Sequence, residues 1–303
     1  MRFAFIAQVE DANQATPRSQ RIPINRVCRL LGVSRSGYYA WRSRPVPARV
    51  ASDADLTRRL AKLHQRHKRR YGLRRLDAML RRGGRCHSRR RLRRLARAVG
   101  IWSVHPRART TTTVQGAARA GLVDLVMRDF VPDASGQVVY SDITYIPTRA
   151  EGFVYLALFH DAHSRRIVGW DVAAHMRTSL VTGALAQTIA DLQPEPGQLI
   201  VHADRGSQYT STAFRDACFD AGIIPSVGST GSCYDNAQAE ALNATVKKEL
   251  INLRTWENLA EVRAALFEYI EIDYNRDRIQ QALGYLTPVE YETKIKLEFV
   301  QAA

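Results

Sequence analysis

Apolar residues recur at helical spacing through the first hundred positions and switch to strand-like runs after about residue 138. Ile24, Val27, Leu30 and Leu31 fall three to four apart, and Gly32 interrupts them. Ser34 is placed to cap a second helix that carries Tyr38 and Trp41. Helix, short glycine turn, helix is the helix-turn-helix pattern. Pro45 and Pro47 close it, giving an N-terminal segment over residues 1–47.

The pattern repeats in kind over residues 50–102. Leu73, Leu76 and Leu80 make one stripe, which Gly83 and Gly84 end. Ser88 can cap the next helix, RRRLRRLARAVG, and Gly100 can terminate it. Leu92, Leu95, Ala96 and Val99 share its apolar face, while Arg89, Arg90, Arg91, Arg93, Arg94 and Arg97 cover the rest. Residues 103–120, with the Thr110–Thr113 run, read as a linker.

Residues 121–303 alternate the two periods. Strands are predicted over 138–146, 152–161, 165–172, 199–204 and 223–227. Helices are predicted over 178–191, 211–221, 235–251 and about 256–273. Three consecutive strands followed by helix–strand–helix–strand–helix predict a mixed α/β sheet with helices on both faces.

Charge sharpens this division. The 303 residues carry a formal net charge of +16. Residues 1–120 hold 30 Lys+Arg against 5 Asp+Glu, and residues 121–303 hold 15 against 24. A merely solvated surface intersperses the two signs. An arm nearly free of acids favours contact with a polyanion, and DNA phosphate fits it best. No apolar run approaches the roughly 20 residues of a membrane span. The start, MRFAFIAQVED, is too short in apolar residues for a signal peptide. None of Cys28, Cys86, Cys218 and Cys233 forms a C-x-x-C pair, which predicts reduced thiols in a cytoplasmic protein.

Three acids then stand out. Asp142 lies mid-strand in VVYSDITY, where aspartate is disfavoured. Asp204 ends LIVHAD, at the carboxyl end of a buried strand, where ligand sites gather in α/β sheets. Glu240 sits on the helix DNAQAEALNATVKKEL, with Asp235 as a candidate N-cap and Gln238 completing a capping box. Taken singly, each has an ordinary reading: an exposed sheet position, a turn, a helix surface. Together they form a constellation if the first and fourth strands are neighbours and the helix covers them. Converging carboxylates repel and raise one another's pKa. Divalent cations remove that cost, and hard oxygen ligands select Mg²⁺ or Mn²⁺ over zinc. Two such ions can activate water and stabilise a leaving oxygen in an in-line phosphoryl displacement.

At these residues the chain resembles a known family, the OrfB-type integrase-core transposases of bacterial insertion sequences. The likeness runs through MRFAFI, LGVSRSGYYAWRSRP, YGLRRLDAMLRRGG, SDITYI, HADRGSQYTS, GSCYDNAQAE and YNRDRIQQALGYLTPVEYE. The family signature is Asp, Asp and Glu, with 35 residues between the last two and a basic residue seven after the Glu. Residues 205–239 number 35, and Lys247 follows Glu240 by seven. The resemblance implies an RNase H-like core behind an all-α helix-turn-helix DNA-binding region. It implies that Asp142, Asp204 and Glu240 hold two Mg²⁺ ions, replaceable by Mn²⁺, and that Lys247 lies near DNA. Donor cleavage by water would precede strand transfer by the freed 3′-OH, so neither Ser207 nor Tyr209 would be a nucleophile. His202, Arg205 and Asn236 would support the ligands or touch DNA, and Arg89, Arg90, Arg93, Arg94 and Arg97 would bind its backbone. The implied partners are DNA at the element ends and target, further copies of the chain, and a first-frame transposase product by pairing or fusion. The implied location is the cytoplasm, at the nucleoid.

Some positions depart from the family pattern: Ser141 where Thr is common, His160 before Asp161 where an apolar residue is usual, and Ile279-Gln280-Gln281 near the end. None is a predicted ligand. His64 and His67 form an H-x-x-H pair, but no C-x-x-C follows to complete a zinc site. Gly228 and Gly231 predict a flexible loop before the catalytic helix, without the pattern of a phosphate-binding loop. Two other functions share these features: a catalytically inactive DNA-binding regulator and a structure-selective nuclease of the same fold.

Overall fold

A computed structural model describes residues 1–45, 47–102, 124–126, 132–228 and 236–302. The expected linker, Gly231, Cys233 and Asp235 lie outside the described residues. The chain divides into two compact units, Met1–Lys62 and Leu63–Ala303.

In the first unit, α1 (Arg2–Ala15), α2 (Ile24–Leu30) and α3 (Arg35–Arg42) close on Ile6, Val27, Cys28 and Tyr38. The α2–α3 turn is the predicted one. Gly32 takes a left-handed φ of 63°, and the Ser34 hydroxyl accepts the Gly37 N–H at 3.1 Å. Leu30, at core spacing, is instead exposed. Helices α1 and α4 (Ala48–Arg66) were not predicted; the unit boundary falls within α4.

The second unit opens with α5 (Leu73–Arg82) and α6 (Arg89–Ala98), which bury Leu76, Leu80, Leu92 and Leu95 as the stripes predict. Ser88 caps α6 by accepting the Arg91 N–H at 3.3 Å. Val99, expected on the apolar face, lies just beyond the helix and is exposed.

Five strands follow: β1 (Val138–Thr148), β2 (Gly152–Asp161), β3 (Ile167–Ala173), β4 (Ile200–Ala203) and β5 (Ile224–Val227). Their order is β3-β2-β1-β4-β5, antiparallel from β1 to β3 and parallel from β1 through β5. This is the RNase H-like arrangement, with β1 in the centre. Along β2, Val154, Leu156 and Leu158 enter one core and Ala157 and Phe159 the other, because successive side chains point to opposite faces. Helices α7 (Thr178–Leu192) and α8 (Thr212–Asp220) cover the second face, while α9 (Ala237–Glu249) and α10 (Leu259–Phe267) cover the first.

Element boundaries shift for local reasons. β3 starts at Ile167 rather than 165, because Arg165 adopts a left-handed φ of 61° in a turn tied to Asp161. The predicted helix 256–273 starts at Leu259, with Asn258 capping it through the Glu261 N–H at 3.0 Å. It then changes to a π-helix over Glu268–Asp277. A final helix, α11, spans Pro288–Ala302.

Gly169 on β3 lies hard against α7. A Cβ there would sit 2.2 Å from the Thr188 hydroxyl oxygen and 2.3 Å from the Ala184 carbonyl oxygen. The carbonyl belongs to helix backbone and cannot swing aside. Gly169→Ala should lower the unfolding free energy by about 3 kcal/mol in urea titration. Unchanged stability would show that α7 is not seated this closely on the sheet.

Candidate active site

Asp142 sits in the middle of the central strand, on the face that α9 covers. Its parity is that of Tyr140 and Ile146, opposite to Val139 and Ile143. The parallel pairing of β1 with β4 places Tyr140 beside His202, so the end of β4 delivers Asp204 next to Asp142. Asp142 is half-buried, whereas Asp204 and Glu240 are exposed at the rim.

The electrostatics register this convergence. Burial, then the Asp204 carboxylate, push the Asp142 carboxyl up to about 7, with Glu240 adding in the same direction. Two hydrogen bonds oppose the shift: Asn243 donates its amide to Asp142 Oδ2 at 2.8 Å, and the Ile143 N–H donates to Oδ1 at 2.8 Å. Asp204 accepts the Gly206 N–H at 2.9 Å, which fixes its rotamer at the turn.

Helix α9 reaches the site through polar contacts at its first turns. Asn236 occupies the N-cap position but makes no capping bond there. Its amide donates instead to the Ser141 carbonyl at 3.0 Å. Gln238, predicted for a capping box, accepts the Arg165 guanidinium at 2.6 Å. Glu240 follows two residues later, still in the helix's first turn, where the macrodipole favours a negative charge. Lys247 lies 4.6 Å from the centre of the Tyr145 ring, in a cation–π contact.

The other predicted supporters bond to the strand and turn beside them. His202 is fully buried, with Nδ1 at 2.9 Å from the Ser226 hydroxyl. Arg205 donates Nε to the Gly228 carbonyl at 2.7 Å, tying the turn after β4 to the end of β5. Tyr209 shares a 2.7 Å hydrogen bond with Ser141. Burial, with Asp142 next in effect, keeps its phenol protonated, which suits a structural role rather than a nucleophile. Asn243 was not singled out from sequence. Its signal was an amide within the buried stripe Ala239, Leu242, Val246 of α9.

Neither His64 with His67 nor His160 with nearby His163 forms a ligand set among the described residues. His64 Nε2 faces the Trp102 carbonyl at 3.2 Å, while His67 Nδ1 faces Asp277 at 2.7 Å. Burial pushes His160 down to about 3, and His163 contacts the Pro132 carbonyl at 2.7 Å. Among the described residues, no three His, Cys, Asp or Glu side chains are drawn tightly enough to form a ready-made metal cage. What the site offers is a hard-oxygen donor set with an unmet electrostatic cost at Asp142, which a divalent cation would remove.

Away from the sheet, Arg89, Arg90, Arg93, Arg94 and Arg97 are exposed on α6. Arg90, Arg93, Arg94 and Arg97 line one open concavity with Ala98. No helix among the described residues is long and apolar enough to cross a membrane.

Comparison with known proteins gives the family. Residues 132–233 and 221–288 match two models described as integrase core domains, and residues 51–109 match an HTH-like domain. The chain is 37% identical over 265 residues to a putative transposase for insertion sequence element IS986/IS6110 of Mycobacterium tuberculosis, covering 86% of this chain and 95% of that one. It is 35% identical to the transposase for IS904 of Lactococcus lactis, covering 78% and 93%. It is 31% identical to transposase InsF for IS3A of Escherichia coli, covering 89% and 94%.

The raised Asp142 carboxyl sets a pH dependence. Its ordinary value is 3.8 and its folded value about 7, so between these the folded chain keeps a proton that the unfolded chain has released. Stability of the metal-free protein should therefore fall as pH rises across that window, by about 2–4 kcal/mol. Asp142→Asn should flatten the fall. Urea titrations at pH 5 and pH 8 measure both, and parallel pH profiles for the two proteins would mean the carboxylates are not crowded.

Proposed function

Because the chain belongs to the integrase-core transposases of bacterial insertion sequences, we propose that it cuts and rejoins DNA with Asp142, Asp204 and Glu240 as metal ligands. The observation that carries this reading is the crowding of Asp142 by burial, Asp204 and Glu240, in that order. Two Mg²⁺ ions, or Mn²⁺ in their place, would supply water activation and neutralise charge building on the phosphodiester.

The chain's own residues do the rest. Arg89, Arg90, Arg93, Arg94 and Arg97 hold the DNA backbone and set its register, as phosphate contacts do. Asn243 fixes the Asp142 carboxylate by its 2.8 Å bond, so that one oxygen orientation is presented to the site. Asn236 and Arg165 moor the helix that presents Glu240. Lys247, on the same helix, contributes positive potential to the DNA channel. Water attacks first and frees a 3′-OH, and that hydroxyl then attacks a target phosphodiester. Each step exchanges one P–O bond for another, so no external energy source is required. Ser207 and Tyr209 stay out of the chemistry. The chain acts on DNA in the cytoplasm, at the nucleoid. It assembles as a homo-oligomer on DNA and pairs or fuses with a first-frame product that helps find the element ends.

The test is incubation of the full chain with labelled element-end duplex and Mg²⁺. Cleaved and joined products are expected, and Asp142→Asn should reduce both by at least about a thousandfold while leaving binding within about twofold. Binding should weaken steeply with salt, and Arg93→Ala with Arg97→Ala should shallow that slope by about 2. Cleavage without joining would leave a nuclease, and binding without cleavage a regulator.

A further inference from the structure

Helix α5 and the turn before it grip the far end of the catalytic helix. Glu249, the last residue of α9, is 4% exposed, and its carboxylate is enclosed by donors from three segments. Arg278 donates Nε to Oε2 at 2.9 Å and Nη2 to Oε1 at 3.0 Å. Tyr269, on the π-helix, donates its hydroxyl at 3.1 Å. Arg75, on α5, reaches Oε1 at 3.3 Å. Burial alone would raise the Glu249 carboxyl, but Arg278 and then Arg75 hold it below its ordinary value. The backbone is held as well: Arg70 donates Nε to the Glu249 carbonyl at 2.8 Å. That carbonyl is one of the last four of α9, which have no partner within the helix and attract cations.

The grip is anchored in two unusual pieces of backbone. Lys68 and Arg69, in the α4–α5 turn, both adopt left-handed φ, at 50° and 62°. Consecutive non-glycine residues in that region cost energy and persist only where their surroundings hold them. Opposite them runs the ten-residue π-helix, a form that recurs at functional sites. Lys68 and Arg70 pair with Asp273 on that π-helix, and His67 bonds to Asp277 at 2.7 Å while stacking on Tyr71.

We infer that Arg75 is a positioning residue that transmits DNA occupancy on α5–α6 to the catalytic helix. Helix α9 is moored at its start by Asn236 and Gln238 and at its end by Glu249. Glu240 and Glu249 are separated by nine residues, roughly 13 Å of continuous helix. A helix held at both ends keeps Glu240 in register, and one end of this helix is held in part by the DNA-binding arm. Arg75 is the side chain on α5 itself that touches the helix's buried acid. The inference rests on the proposed function for the roles of Glu240 and α6.

The test compares wild type with Arg75→Gln and Arg75→Lys, all as full chains, using duplex DNA from the element end. Amide hydrogen exchange is followed over residues 237–249 and over α6, with and without DNA. In the wild type, DNA should slow exchange in both helices. In Arg75→Gln, DNA affinity should stay within about twofold and α6 should still be protected, but α9 should no longer respond. Cleavage of saturating DNA should slow by about ten- to a hundredfold, as a remote misplacement of reacting groups does. Arg75→Lys, which keeps the charge, should recover part of both readouts. Arg75→Gln leaves Glu249 with Arg278 and Tyr269, so no bare charge is buried and folding should be retained. If that variant melts early, Arg75→Met, which keeps the side chain's length without its charge, gives the same exchange comparison. An α9 that responds to DNA equally with and without the Arg75 guanidinium overturns the inference, as does an α9 indifferent to DNA in the wild type. A wild type that protects α9 but does not cut DNA would support the coupling and overturn the proposed chemistry instead.

Discussion

Asp142 stands on the central strand, where an antiparallel neighbour fixes which face its side chain takes and a parallel neighbour brings Asp204 to its flank. The interaction on which the site depends is the repulsion this creates. A carboxylate half-buried beside a second carboxylate, with a third on the covering helix, is unfavourable in the bare protein. Two hydrogen bonds, from Asn243 and from the Ile143 N–H, offset part of it. The rest is relieved by protonation, since the Asp142 carboxyl keeps its proton up to about 7.

The surrounding structure absorbs that strain through redundancy. Both faces of the sheet carry closed apolar cores, so β1 cannot slip its register to release Asp142 without exposing Val139 or Ile146. α9 is fastened at its first turn to Ser141 and Arg165 and at its last to Arg70, Arg75 and Arg278. The short antiparallel meander before β4 and the parallel crossover after it are therefore more than connectivity. They let acids far apart in sequence arrive from one strand centre, one strand end and one helix, three supports that move independently only at the cost of the core.

Much of this was legible in the chain. The five strands and the α9 helix followed from periodicity, and the neighbour relation of β1 and β4 was the supposition that made sense of Asp142 and Asp204. Ser34 and Ser88 announced their helices because capping is local chemistry. What was not legible depends on distant partners. Gln238 read as part of a local capping box with Asp235, yet its side chain is taken by Arg165 in the β2–β3 turn, and the Asn236 amide goes to the β1 backbone. The change from α10 to a π-helix has no sequence period of its own. It is held by Lys68, Arg70 and His67, some two hundred residues earlier. Asn243 was hidden for a related reason: an amide in an apolar stripe declares itself only when the carboxylate it serves is seen beside it.

The charge asymmetry takes on a second meaning in this light. The surplus of cations in the first 120 residues reads as a DNA-binding surface, and the α6 arginines fit that reading, standing exposed around one concavity. Arg70, Arg75 and Arg82, from the same arginine-rich stretch, turn the other way and meet Glu249, Asp273 and Glu290 of the acidic half. Exposed pairs of this kind contribute little, but Glu249 is buried, where losing its cationic partners would leave a charge uncompensated. The same arginine-rich composition that leaves cations exposed on α6 therefore also ties α5 to the acidic half. The residues that fasten α5 and its preceding turn end on the helix that carries Glu240, so whatever moves one bears on the other.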